Sequence, residues 1–299
     1  MADFKARWQV GSIGVNLVEE SIGFTTKLPP VFFPQFEREK FDRHVSWMAP
    51  IHYDPPTDQL VSSVHSWVIR TGRHTILFDC CAGNHRNRPW APRWHMLETP
   101  WLERLRAVGV EPEDVDYVLC SHLHVDHCGW NTMQRDGRWV PTFPNAKYLI
   151  HNLEHEHWNP LGSNRGPRAE MAEPLWTDSV LPILEAGQVE LVQGSYQIEE
   201  GVVIEEAPGH TPGLVTLRIE SDRQHAVFSS DVIHHPIQIC EAGWNTVYCE
   251  LPEQALKSRM KLLEYCLRSD ATMFPAHFAV PHIARIKELP SGLMPDFAL

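Results

Sequence analysis

No stretch of this 299-residue chain comes near the roughly 18 consecutive apolar residues that a bilayer-spanning helix requires, so a membrane span of that kind is excluded. The opening residues, Met1 to Trp8, lack the charged-then-apolar pattern of a signal peptide, and the expected compartment is the cytoplasm. Positive charge is scarce: 26 Lys and Arg against 38 Asp and Glu leave a net charge of −12, which argues against a nucleic-acid partner, because binding a phosphate backbone needs a basic surface to displace counterions. Cysteine is present seven times (Cys80, Cys81, Cys120, Cys128, Cys240, Cys249, Cys266), but the number is odd, the positions are scattered and no CxxC pair occurs. Reduced, mostly buried thiols are therefore expected in place of a disulfide framework. There is no low-complexity tail and no evident linker, and 43% hydrophobic residues suffice for a sizeable core.

Histidine is abundant, with 18 in the chain, and four strong metal ligands fall within six residues of one another: His122, His124, Asp126 and His127. They follow Val115–Cys120, a short apolar run that reads as a buried strand, and precede Cys128-Gly-Trp-Asn131, which reads as a turn. An extended chain sends positions two apart to the same side, so His122 and His124 suit one ion while Asp126 and His127 reach a neighbouring one. Three further residues sit beside strand-like runs or Gly/Pro turns: His210 in Ala207-Pro-Gly-His-Thr-Pro-Gly213, Asp231 closing Ala226–Asp231, and His277 in Met273-Phe-Pro-Ala-His277.

The His-x-His-x-Asp-His run together with these three later residues resembles the metallo-β-lactamase superfamily of hydrolases, over about Val64 to His277. The resemblance implies an α/β fold, an αββα sandwich of two mixed β-sheets flanked by helices. It implies two Zn²⁺ ions per chain, iron or manganese being tolerated by the same donors. His122, His124 and His210 would hold the first ion and Asp126, His127 and His277 the second, with Asp231 bridging. Two zinc ions, two carboxylates and one hydroxide sum to a formal charge of about +1, which welcomes a carbonyl or phosphoryl oxygen in spite of the acidic exterior. In the implied chemistry a metal-bridging hydroxide attacks a carbonyl, and Asp126 is the candidate proton carrier. Asp79 either orients the histidine run from behind or caps a turn.

Within the superfamily the chain is most similar to the acyl-homoserine lactone lactonase and methyl-parathion hydrolase group. The lactonases carry a tyrosine three residues after the bridging aspartate, whereas this chain has His234, followed by His235. His234 is thus a candidate catalytic residue, donating to the oxyanion in place of the tyrosine, or else one of a surface pair. The implied activity is hydrolysis of a small-molecule lactone or carboxylic ester. A phosphotriester or activated aryl ester is the alternative, and a di-iron oxidoreductase is the alternative of another class.

Because ligands come from both halves, the sequence is read as a single domain over 1–299, with an irregular excursion at about 21–56 and an insertion at about 151–176. The excursion covers the site or forms an oligomer interface, and a homodimer is left open. A strand is expected over 8–20, a hairpin from His65–Arg70 and His74–Asp79, a long loop over 84–99, and a helix over Pro100–Val108 stopped by Gly109. A strand is expected over 146–151, short strands over 189–192, 202–205, 214–218 and 226–229, and a helix over Pro252–Arg268 burying Leu256, Met260, Leu263 and Leu267. Cys128 either lines the metal pocket or fills a small packing space. Trp90, Trp94, Trp158 and Trp244 either wall a broad aromatic pocket or pack their loops down.

Overall fold

The structure is a computed structural model, which describes residues 7–162 and 169–298. The chain forms two compact units, one of residues 7–21 and 64–194, the other of 22–63 and 195–298. It passes from one to the other within the 12-residue strands Ile13–Phe24 and Gln59–Arg70. Residues 163–168, part of the expected insertion, lie outside the described residues. Among the described residues no helix is long and apolar enough to cross a membrane.

The first unit is built on a mixed sheet, in the order Arg7–Val10, Ile13–Phe24, Gln59–Arg70, Thr75–Phe78, Tyr117–Cys120, Lys147–His151 and Val189–Val192, to which Tyr53–Asp54, of the residues 22–63, adds an eighth strand by pairing with Gln59–Leu60. The expected opening strand is a hairpin, because Gly11 adopts φ +57 and turns the chain between Val10 and Ile13. The expected hairpin at 71–73 is present, with Arg70 opposite Thr75. Thr75–Phe78, Tyr117–Cys120, Lys147–His151 and Val189–Val192 run parallel, so the loops leaving their C-terminal ends share one side of the sheet. Parallel strands covered on both faces read as continuous apolar runs, which explains Val-Leu-Cys at 118–120 and Tyr-Leu-Ile at 148–150, all fully buried. The helix Trp101–Ala107 lays Trp101 and Leu105 into this core, and Gly109 with φ +79 ends it. Residues 84–99 are a long loop with one 3₁₀ turn at Pro92–Trp94.

The second unit carries a mixed five-stranded sheet: Tyr196–Glu199, Val202–Glu206, Val215–Ser221, Gln224–Ser230 and Thr272–Pro275. The first three pairings are antiparallel and the last is parallel. A second hairpin, Arg285–Leu289 with Gly292–Asp296, follows. The helix Pro252–Ser269 forms as expected, and of the four residues expected inside it buries Leu263, partly buries Leu256 and Leu267 and leaves Met260 out. Ala255, Arg259, Leu262, Leu263 and Cys266 are buried, while Met260 is 49% exposed. The cause is Arg259, whose guanidinium donates to the carbonyls of Val232, Ala242 and Trp244 and to Asn245 Oδ1 at 2.8 to 3.1 Å. Apolar periodicity cannot place an arginine inward, but a guanidinium with five well-placed donors is tolerated there.

The excursion at 22–56 is less irregular than its proline content suggests. Pro29–Phe32, Arg38–Asp42 and Val45–Met48 are single helical turns, and Pro at the start of the first turn costs no hydrogen bond that a helix would use. Phe32, Phe33, Phe41 and Met48 pack with Ile237 and Trp244 into an aromatic core of their own.

Three of the buried histidines of this unit, His52, His235 and His282, are held neutral by their surroundings. His235 Nε2 donates to the His52 carbonyl at 2.9 Å while its Nδ1 accepts from Ile237 N–H at 3.2 Å, a pair of roles open only to the uncharged ring. His282 Nδ1 donates to the Phe278 carbonyl at 2.8 Å, and His52 stacks on Phe297 with 5.0 Å between centroids. Burial depresses all three pKa values, to about 3 for His52 and about 4 for His235 and His282. In the unfolded chain each would titrate near 6.5. The unfolded state therefore binds more protons between these values, and the stability that the neutral rings contribute is complete above about pH 6.5 and is lost as the pH falls toward 4. Urea midpoints of metal-free protein should drop between pH 8 and pH 5, and the drop should be smaller in His282→Asn, whose amide can keep the bond to Phe278. Equal midpoints at the two pH values would contradict this account.

Candidate metal centre

The histidine run leaves the C-terminal end of the Tyr117–Cys120 strand, so its first residues inherit the rigidity of the sheet. His122, His124 and His127 are all at least nine-tenths buried. Asp126 is the most open member, with its side chain 18% exposed. His122 Nε2 and His124 Nδ1 face one another at 3.0 Å. Two imidazole nitrogens bound at 2.0 to 2.1 Å to a tetrahedral zinc lie about 3.3 Å apart, so this spacing fits a shared ion with little adjustment. His127 Nε2 stands 3.8 Å from Asp126 Oδ1.

What turns these rings is the neighbouring strand end. Asp79 follows Thr75–Phe78 in a left-handed conformation, φ +59, which swings its carboxylate toward the run. Its Oδ1 accepts from Ser121 N–H at 2.8 Å, and its Oδ2 accepts from the Ser121 hydroxyl at 2.9 Å and faces His127 Nδ1 at 2.9 Å. A carboxylate can only accept, so the proton of His127 is assigned to Nδ1 and the lone pair to Nε2. Of the two roles expected for Asp79, orientation of the run is the one the geometry bears out. His127 O accepts from Cys80 N–H at 2.6 Å, and Gly129 and Trp130 N–H donate to Cys81 O and Cys80 O at 2.8 and 2.7 Å. Gly129 is required there, since a β-carbon would lie 1.9 Å from Ala82 O. Cys128 is fully buried among apolar residues with its thiol pKa pushed well up by burial, and is a packing residue.

The second unit gathers the other expected ligands around one carboxylate. Asp231 follows the Gln224–Ser230 strand, His277 the Thr272–Pro275 strand, and His210 lies in the turn after Val202–Glu206. His210 Nε2 and His234 Nε2 each lie 3.1 Å from Asp231 Oδ2, and His277 Nε2 lies 3.1 Å from Oδ1. His277 Nδ1 donates to Ser63 O at 2.9 Å, which leaves its lone pair on Nε2. His210 Nδ1 is 3.9 Å from Cys249 Sγ. Gly209, φ +142, passes so close to the helix Pro252–Ser269 that a β-carbon would fall 2.1 Å from Ala255 N.

His234 and His235 are not a surface pair, as both are buried. Only His234 joins the cluster. Its Nε2 faces Asp231, and burial pushes its pKa down against the opposing pull of that carboxylate. Phe32 of the excursion meets it edge-on at 6.3 Å, so the excursion does cover this residue. The tryptophans divide. Trp158 is buried beside His124 and Trp244 is buried in the aromatic core, whereas Trp90 is 40% exposed.

Sequence reasoning passed over the buried charges that frame the run. Glu20 accepts from Ala82 N–H, Gly83 N–H and Trp130 Nε1–H at 2.8, 3.0 and 2.7 Å, and burial raises its pKa in opposition to those bonds. Arg86 and Arg88 converge on Asp178 Oδ1 at 3.3 and 2.6 Å, with Arg86 also donating to the carbonyls of Gly129 and Thr132. The only signal in the sequence was the arginine content of the 84–99 loop.

The metallo-beta-lactamase superfamily matches this chain over residues 60–277, well over half its length. The chain belongs to that superfamily. Among curated proteins it is 28% identical to an N-acyl homoserine lactonase of a Bacillus species over 178 residues, covering 58% of this chain and 60% of the relative. It is 36% identical to the N-acyl homoserine lactonase AttM of Rhizobium radiobacter over 102 residues, 30% of this chain and 34% of that one. The match thus spans about three fifths of the Bacillus relative. Among solved structures, hydrolase AbOPH of the beta lactamase superfamily aligns over 99% of this chain and 98% of its own, with a TM-score of 0.82 at 21% identity. AidC, described as a dizinc quorum-quenching lactonase, aligns over 98% and 96% with a TM-score of 0.77 at 20% identity. At these identities the likeness is one of fold, and the two mixed sheets with their helices are the metallo-β-lactamase fold that the sequence led us to expect.

For a member of this superfamily the Asp79–His127 bond should govern metal binding directly. Replacing Asp79 by Asn puts an amide N–H or a weaker acceptor opposite Nδ1 and releases the tautomer. Zinc affinity, measured against a chromophoric chelator, should fall about ten- to a hundred-fold. Unchanged affinity would show that the ring is oriented by something else.

Proposed function

We propose that this chain is a dinuclear zinc hydrolase that opens a lactone or cleaves a carboxylic ester of a small molecule. In this reading His122, His124 and His210 would hold one ion, Asp126, His127 and His277 the other, and Asp231 would serve both. The observation that carries it is the presentation of imidazole nitrogens: His122 and His124 at zinc-like spacing, and His210 and His277 each 3.1 Å from the Asp231 carboxylate. The donor set suits the split, as three neutral imidazoles would leave one ion the stronger electrophile and the added Asp126 carboxylate would lower the positive charge of the other. When bound, the ions supply a water of near-neutral pKa and Lewis acidity toward a carbonyl oxygen.

The side chains do the rest. Asp126, the most solvent-accessible member, carries the proton from the attacking water to the leaving alkoxide with the carboxylate oxygen not engaged in coordination. His234, kept neutral by burial, donates Nε2–H to the developing oxyanion, the role that the lactonase resemblance gives to a tyrosine. A donor already fixed in place stabilises that charge without having to reorganise. The named activity of the N-acyl homoserine lactonase relatives favours a lactone over other esters. The lower-ranked substrates are a phosphotriester or an activated aryl ester, and two irons without hydrolysis would mark the oxidoreductase alternative.

Protein purified without added metal should contain two zinc ions per chain and turn over members of a lactone panel faster than paraoxon-like phosphotriesters. Two irons and no hydrolytic turnover would overturn the proposal. Asp231→Asn should lower metal content and kcat together, and full metal content with full kcat would contradict its bridging role. His234→Phe should keep both ions and lower kcat about a hundred-fold, with His234→Tyr recovering part of the loss. If His234→Phe matches the native rate, the oxyanion is held elsewhere.

A further inference from the structure

Glu154 belongs to no motif, yet its side chain is fully buried. It stands on the helix Asn152–Trp158, which begins where the Lys147–His151 strand ends and is capped by His151 Nδ1 accepting from Leu153 N–H at 3.3 Å. From there Oε2 accepts two hydrogen bonds, from Leu123 N–H and from Trp158 Nε1–H, each at 3.0 Å. Leu123 is the residue between His122 and His124. Its amide orientation fixes the direction in which the chain enters and leaves that position, and hence the aim of both imidazoles. Trp158, held by the same oxygen, meets the His124 ring edge-on with 5.4 Å between centroids. One carboxylate thus grips the backbone between the two histidines and the wall against which the second one rests.

Packing alone does not ask for an acid here. A buried carboxylate is costly to desolvate, and an apolar side chain would fill the same space without that cost. What an apolar residue cannot do is hold the Leu123 N–H in a fixed direction. A carboxyl oxygen does so by accepting a directional bond from that amide at 3.0 Å, which resists rotation of the peptide.

We propose that Glu154 is a positioning residue for the metal pair, setting the spacing of His122 and His124 through the Leu123 amide and seating His124 through Trp158. It touches neither ion nor substrate. The inference rests on the reading of His122 and His124 as ligands of a shared ion.

The test compares Glu154→Ala, Glu154→Gln, Trp158→Phe and Glu156→Gln in the full chain, the last being an exposed acid on the same helix. Zinc affinity is measured by chelator competition well below the unfolding temperature, and the visible spectrum of the Co²⁺ form reports ligand geometry. Glu154→Ala should bind zinc about ten- to a hundred-fold more weakly and shift the cobalt spectrum. Glu154→Gln, which keeps one acceptor oxygen, and Trp158→Phe, which keeps the ring edge, should fall between it and the native protein. Glu156→Gln should match the native protein. Native zinc affinity and cobalt spectrum in Glu154→Ala, even with a lowered Tm, would overturn the proposal. Should Glu154→Ala fail to fold, Glu154→Gln and Trp158→Phe carry the comparison under the same criteria. A native protein that binds neither zinc nor cobalt would remove the metal reading itself, whereas native binding with an indifferent Glu154 removes only this inference.

Discussion

An imidazole can offer a metal ion only the nitrogen that does not carry its proton, and much of this molecule is arranged around that constraint. His127 has its proton drawn to Nδ1 by the Asp79 carboxylate, and His277 has its proton drawn to Nδ1 by the Ser63 carbonyl. His122 has the Ser121 hydroxyl 3.0 Å from Nδ1, and His210 has the Cys249 thiol 3.9 Å from Nδ1. The four partners descend in acceptor strength from carboxylate through carbonyl and hydroxyl to thiol. The four rings are therefore unequal donors, and the one backed by a carboxylate is the most basic. That inequality is fixed by folding, before any ion arrives.

Backbone conformation at strand ends is what delivers those partners. Asp79 and Ser230 both end strands in the left-handed region, φ +59 and +43, a conformation that turns the next side chains out of the sheet. Such residues carry local strain, which the surrounding hydrogen bonds offset. Gly129 and Gly209 permit approaches that any β-carbon would block. Around this framework, buried charges act as staples onto backbone groups: Glu20 on Ala82 and Gly83, Glu154 on Leu123, Arg86 on Gly129 and Thr132, Arg259 on Val232, Ala242 and Trp244. Each costs desolvation energy, and most of them hold loop or turn segments that no sheet or long helix holds.

Much of the fold was legible in the sequence because its signals are local. The run Val115–Cys120, the hairpin at 71–73 and the helix from Pro252 follow from β-branched content, turn residues and helical period, and all three formed. The errors share one cause. The helix face was misjudged at Met260 because Arg259 points inward, the opening strand was split by a positive φ at Gly11, and His234 and His235 were weighed together although one faces Asp231 and the other bonds to His52 O. In each case a contact distant in sequence, or a single backbone angle, outweighed the local pattern. Glu20 and Glu154 were passed over for the same reason, since an isolated acid in a sequence gives no sign of being buried.

The sequence by itself determined the class of chemistry on offer: imidazole and carboxylate donors in a spacing that an extended chain can aim at a metal, in an acidic chain with no framework of paired cysteines. It also determined the family, because those donors recur beside strand-forming runs in a fixed order. Tertiary structure alone decided which nitrogen of each histidine is presented, which of two adjacent histidines meets Asp231, and which acids disappear from solvent to grip the backbone. The physical reason is that residue types and local periodicity are carried by neighbours along the chain, whereas the Nδ1 partners of His127, His210 and His277 stand 48, 39 and 214 residues away and the Leu123 amide that Glu154 grips stands 31 residues away.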